Sequence, residues 1–301
     1  MKRRVMQIAD STQLISLPRK WSLQNSVKKG DELDVELNGN KLLITYGGQQ
    51  PSRAAMIDFQ QLGNFNKNYL SIAYHMGFDE VEIRFDEPKN FEEIQDRVKD
   101  CIGFEIVDQG PQYCLIRSIT NVSNDEFDKV LRRVFLMLQA LAKNSFDALS
   151  RGDFRHLDEV RALERTNNRL TDFCRRTLNK KGYPDAIKLP IIYSLICDLE
   201  RIADDYKHIC DYYMQHPTKP GEGILRCFVQ VNQYLETFAQ VFYKFEKERA
   251  QSLWEMGRQL TEQLEEYFNA KNVEERMLAH HLINITTKIY ELTMPYFSLR
   301  F

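Results

Sequence analysis

No stretch of this 301-residue chain approaches the ~20 apolar residues a helix needs to span a bilayer; the longest run is VFLMLQALA at 134–142. Cysteine is sparse, with six residues (101, 114, 174, 197, 210 and 227) and no CxxC pair. That excludes a disulfide scaffold and predicts reduced, mostly buried thiols in a cytoplasmic protein. MKRRVMQIADS at the N-terminus opens with charge and lacks the apolar core of a signal peptide. There is no Walker loop, no glycine-rich dinucleotide fingerprint, no HExxH and no GxSxG. The expectation is therefore that the chain is not an enzyme. A net charge of −2 excludes a uniformly basic coat for nucleic acid, and 43% apolar with 28% charged residues is ordinary globular composition. The patterns at Asn121-Val-Ser and Asn284-Ile-Thr fit glycosylation only in a secreted chain.

The near-zero charge conceals an asymmetry. Residues 1–29 hold seven basic groups against one acid, Asp10, a net of +6; residues 55–123 hold six against twelve, a net of −6. The last 178 residues balance at 26 against 26. Glycine is uneven too, with eight of thirteen before residue 124. Frequent turns predict sheet in the first part and long unbroken segments in the second.

Residues 3–46 alternate in strand fashion. RVMQIA and QLISLP are short period-two runs, and LDVELNGNKLLITY reads as a hairpin with Asn-Gly-Asn at its tip. Between them PRKWSLQNS suits one short helix, and Lys28-Lys-Gly-Asp31 a turn. Four strands in about fifty residues make too small a core to fold alone, which predicts an intertwined homodimer. YGGQQPSR at 46–53 reads as a linker. From 55 to 120 the pattern is a small α/β layer: strand AAMIDF, a helix near 65–76 closed by Gly77, strand FDEVEIRF, a helix over 90–102 stopped by Gly103, then strands GFEIVD and QYCLIRSI.

From 121 onward everything reads as helix. Ser123-Asn-Asp-Glu126 has the form of a capping box. The apolar period predicts helices at about 124–150, 153–181, 186–214, 222–249, 251–270 and 273–296, an antiparallel six-helix bundle. A faint repeat writes SLICDLERIADDYKHI (194–209) over MLAHHLINITTKIYEL (277–292), matching Leu199 with Leu282 and Ile202 with Ile285. The histidines offer no metal pair within a helix. His280 and His281 are adjacent and point about 100° apart, and His208 and Cys210 fail in the same way, so all read as cap, core or surface residues.

Two constellations remain. The first is the basic head: Lys2, Arg3 and Arg4 before the first strand, Arg19 and Lys20 opening the short helix, and Lys28 and Lys29 on the turn. On a dimer, fourteen positive groups would converge, either as a phosphate-binding footprint or as a solubilising terminus. QLISLPRKWSLQNSVKKGDELDVELNGNKLLIT resembles the AbrB/SpoVT swapped-hairpin family: an apolar strand ending in Leu-Pro, a helix beginning Arg-Lys, then Lys-Lys-Gly-Asp and a hairpin. The resemblance covers about 3–46 and implies a homodimeric β-barrel of interlocked hairpins whose basic residues contact DNA, with Arg4, Arg19 and Lys20 foremost. Some members of the family serve only as dimerisation modules.

The second constellation is Asp198-Leu-Glu-Arg-Ile-Ala-Asp204. Glu200 and Asp204 are one turn apart on the third of these helices, and two carboxylates so placed repel unless a cation lies between them. They read either as an oxygen-rich metal site, for a divalent or iron-type ion, or as a solvated face with Lys207 and His208 as counter-charges. LERIAD resembles the ExxxD motif of the PhoU phosphate-uptake regulators, with DEVRALERTNNRLTDFCRR similar to the preceding helix and Glu164 its best acidic candidate. That family has two three-helix repeats whose motif carboxylates hold surface metal clusters. Ile283 and Thr287 occupy the corresponding positions of the second repeat, so one site at most is implied.

Together the resemblances imply an archaeal-type composite in three parts: a swapped-hairpin domain (1–50), an α/β connector (55–120) and a PhoU-like bundle (121–301). The function they imply is phosphate homeostasis. Either the protein is a DNA-binding regulator with a sensing bundle, or it is an adaptor without DNA binding that docks on a phosphate transporter ATPase or a sensor kinase.

Overall fold

The computed structural model describes residues 1–8, 11–38, 41–46, 52–59, 66–120, 124–270 and 272–300. The expected hairpin tip at 39–40, the linker residues 47–51, the capping residue Ser123, Asn121 and Lys271 lie outside them. The chain divides into two units, Met1–Ser52 and Arg53–Phe301.

The first unit carries two antiparallel ladders. One pairs β1 (Met6–Ile8) with β2 (Thr12–Leu14); the other pairs β3 (Leu33–Asn38) with β4 (Lys41–Tyr46). Helix α1 (Arg19–Gln24) lies between them in sequence, preceded by Pro18 in extended conformation. Asp31 fastens the turn before β3: it accepts from the Lys28 amide at 2.7 Å and from the Tyr46 hydroxyl at 2.6 Å. No described residue of this unit is buried.

The second unit begins with a four-stranded sheet in the order β5 (Ala54–Asp58), β6 (Glu80–Arg84), β8 (Tyr113–Ser118), β7 (Phe104–Gly110). β5 and β6 are parallel, joined through α2 (Asn66–His75), and the remaining pairs are antiparallel. Alternation in β6 decides its faces. Val81 and Ile83 are fully buried with Cys114 and Ile116 against Leu70, Tyr74 and Ile94 of the helices, while Glu80 pairs with Arg117 on the other face at 2.7 Å. Helix α3 (Pro88–Val98) starts earlier and ends sooner than the 90–102 expected, because Pro88 is accepted in a first turn. Gly103 opens β7 instead of stopping the helix, at a φ of +82° that a side chain would strain.

Helices then fill the rest: α4 (Asn124–Arg151), α5 (Leu157–Lys181), α6 (Leu189–Gln215), α7 (Glu222–Tyr243), α8 (Lys247–Glu265), a 3-10 turn at Glu266–Asn269, and α9 (Val273–Ser298). The break expected near 250 falls instead at 244–246, where Lys244 and Glu246 are extended. Asn272 caps α9, accepting from the Glu274 amide at 2.9 Å. Leu195, Leu199, Ile202, Tyr206, Phe228, Phe238, Leu282 and Ile285 centre one continuous core.

The sheet layer has its own apolar cluster; Ile102 packs instead against the bundle core, and charged groups cross the joint to α5. Arg176, 2% exposed, donates to the carbonyls of Tyr74 (3.1 Å) and Phe78 (2.6 Å) and to Asp79 (3.1 Å), with Tyr74 and Phe104 rings against its guanidinium. It thereby fixes the end of α2, sharing the Tyr74 carbonyl with the Gly77 amide and taking that of Phe78 in the segment that follows. Lys180 also pairs with Asp79, and Arg165 reaches Asp100 at 2.8 Å.

Candidate functional site

The seven basic residues of the head are all exposed, and none has a carboxylate partner among the described residues. Lys28 and Lys29 are presented by the turn that Asp31 fastens; Arg19 and Lys20 lie in the first turn of α1. On the same unit Val5, Met6, Ile8, Val35, Leu37 and Leu42 are exposed, Leu37 at 82%. Free charge and uncovered apolar side chains thus occur together in one small unit.

The three carboxylates read as metal ligands are divided by the fold. Glu164 of α5 and Asp204 of α6 converge on one point, and the Lys207 ammonium fills it, 2.9 Å from Glu164 Oε1 and 2.7 Å from Asp204 Oδ1. Glu200 turns instead to Arg175, at 2.7 Å. Burial raises the Glu164 carboxyl above its ordinary range in spite of Lys207. Lys207 loses by desolvation but gains more from Asp204 and Glu164, so it is raised and stays charged. Glu164, Glu200 and Lys207 line a polar groove of about 670 Å³ between α2, α3 and the bundle helices α5 and α6, with His75, Arg169 and Asp172 further along. His75 Nε2 lies 2.7 Å from Asp172 Oδ1.

A second polar cluster, which no spacing within one helix could reveal, lies where α6 and α9 cross. Asp205 is buried, and its Oδ1 is 3.1 Å from His281 Nδ1 and accepts from Asn284 at 3.3 Å. Its Oδ2 accepts from Lys288 at 2.5 Å. Burial pushes the Asp205 carboxyl upward, but the bonds from His281 and Lys288 outweigh it and hold the group below the usual carboxylate range. The His208 ring lies 5.6 Å from that of His281. Reading these histidines as isolated cap, core or surface residues is therefore incomplete: His281 reaches Asp205 across the helix pair.

Compared with known proteins, the chain matches no family model, no curated protein and no solved structure. Among the described residues no helix is long and apolar enough to cross a membrane.

Proposed function

We propose that the protein is a cytoplasmic, homodimeric regulator of phosphate homeostasis, whose basic head binds promoter DNA and whose six-helix, two-repeat bundle senses a state or docks a partner. The observation that carries this reading is the conjunction in residues 1–52 of seven exposed basic groups, unpaired among the described residues, with no described residue buried. A unit without an interior needs a second copy to cover Val35 and Leu37, and two copies closing as a swapped-hairpin barrel would bring both basic sets together. No catalytic turnover is part of the proposal. Coupling requires the bundle's ligand or partner to favour one arrangement of the dimer, because equal affinity for both shifts nothing.

A second reading, an adaptor whose head serves only as a dimer clasp and whose bundle docks on a transporter ATPase or sensor kinase, is favoured by the apolar exposure alone. Fluorescence anisotropy with promoter fragments at two salt concentrations separates the two. Selective binding that weakens steeply with salt and is lost on deleting residues 1–50 supports the regulator; binding equal to the deletion variant's supports the clasp.

The metal implied by the PhoU resemblance fits these donors poorly. Glu164 and Asp204 already neutralise Lys207, and Glu200 is engaged by Arg175, so an ion would have to displace both cations. The proposed mechanism therefore passes through contact and population shift, with no step assigned to a metal at that point.

A further inference from the structure

We propose that Asp205, His208 and His281 form a binding site for a zinc-type divalent cation, bridging α6 and α9. Ligating atoms of the three side chains all lie within 4.8 Å of one another. The Asp205–His281 separation of 3.1 Å is already near the roughly 3.3 Å edge between two ligands of a tetrahedral zinc ion, from metal–ligand distances of about 2.0–2.1 Å. His208 is exposed and has no hydrogen-bond partner among the described residues, so its ring can close the remaining distance without losing a contact. Two imidazoles and one carboxylate suit zinc, nickel or ferrous iron; magnesium and calcium prefer sites built wholly of oxygen. Three protein ligands leave a fourth position on the solvent side, where His208 is exposed.

The surroundings orient the site and also weaken it. Asn284 holds Asp205 Oδ1, as outer groups do in metal sites generally. The Lys288 ammonium meanwhile opposes an incoming cation, though it bonds Oδ2 and leaves Oδ1 to His281 and Asn284. This sets the effect of Lys288 apart from that of the ligands. Removing a ligand loosens the ion, and removing Lys288 tightens it. The site is separate from Glu164, Glu200 and Asp204, and the inference does not rest on DNA binding.

The test uses full-length protein stripped with chelator and titrated with Zn²⁺ alone, followed by metal analysis, thermal unfolding and, with Co²⁺ in place of Zn²⁺, the visible d–d absorption of a low-symmetry site. One ion per chain, a Zn²⁺-dependent rise in Tm and a Co²⁺ band are expected. His208→Ala, at an exposed position, keeps the metal-free Tm and loses at least the tenfold in affinity that even an outer-group change costs a metal site. Lys288→Met tightens binding several-fold. Zn²⁺ bound equally by wild type and His208→Ala overturns the proposal and points to scattered surface histidines. Loss of binding on Glu200→Gln but not on His208→Ala overturns it in favour of the groove carboxylates.

Discussion

β3 and β6 are written in the same alternating code, Leu-Asp-Val-Glu-Leu and Glu-Val-Glu-Ile-Arg, yet they end in opposite surroundings. Val81 and Ile83 of β6 are fully buried beneath α2 and α3; Val35 and Leu37 of β3 are 57% and 82% exposed. Alternation specifies that a strand has an apolar face, and something else must supply the cover. In residues 53–301 the cover comes from the chain itself. In residues 1–52 no described residue is buried; in the dimer proposed above a second copy would cover Val35 and Leu37, and the stability of the head would then depend on protein concentration.

Arg176→Ala is expected to cost about 3–5 kcal/mol, since Asp79 and two carbonyls lose a buried cation, and to give the sheet layer its own unfolding transition in urea. A single unchanged transition would show that the joint contributes little. Within the sheet, Ile83→Ala should cost about 2–5 kcal/mol at any protein concentration, whereas Leu37→Ala should leave the main transition within about 0.5 kcal/mol and shift sedimentation towards monomer. Equal effects from the two would remove the distinction between covered and uncovered strands.

Asp205→Asn is expected to cost about 1–3 kcal/mol at neutral pH, measured by denaturant titration. The wild-type carboxyl is held low in the folded state, so its contribution is complete above the ordinary carboxylate pKa of about 4 and lost as pH falls through the lower folded value. The Asn variant should therefore show a shallower loss of stability between neutral pH and acid. Arg19→Ala combined with Lys20→Ala should alter stability by less than about 0.5 kcal/mol, because neither side chain has a charge partner among the described residues, while the log–log salt slope of DNA binding falls by up to about 3.6, two cations being lost from each subunit of the proposed dimer. An unchanged slope would place DNA contact, if any, elsewhere.

Much of the fold was legible because period and punctuation agree. The strand at 80–84 and the helix ends near Gly77, Gly152 and Gly182 followed from alternation and glycine. The break after Tyr243 was misplaced because Lys244-Phe-Glu contains neither glycine nor proline, and nothing local marks it. In α5 the apolar stripe Leu157, Val160, Leu170 is the bundle face as expected, but Asp172 and Arg176 are buried as well because α2 packs along that side. A single helix read alone looks half solvated when it is sandwiched. The site was half legible for a related reason: Lys207 as counter-charge follows from i, i+3 spacing, whereas Arg175 for Glu200 and His281 for Asp205 need the pairing of helices.

The joint through Arg176 has a calorimetric consequence. Heat capacity and denaturant sensitivity both follow the area newly wetted, and apolar area dominates the first. A sheet layer whose own apolar cluster stays closed, and which meets α5 through guanidinium, ammonium and carbonyl groups, can swing away while wetting little hydrocarbon beyond Ile102 and the faces of Tyr74 and Phe104 that meet Arg176. Such an opening would be nearly silent in heat capacity and in urea slope, yet plain in the amide exchange of Phe78, Asp79 and their neighbours.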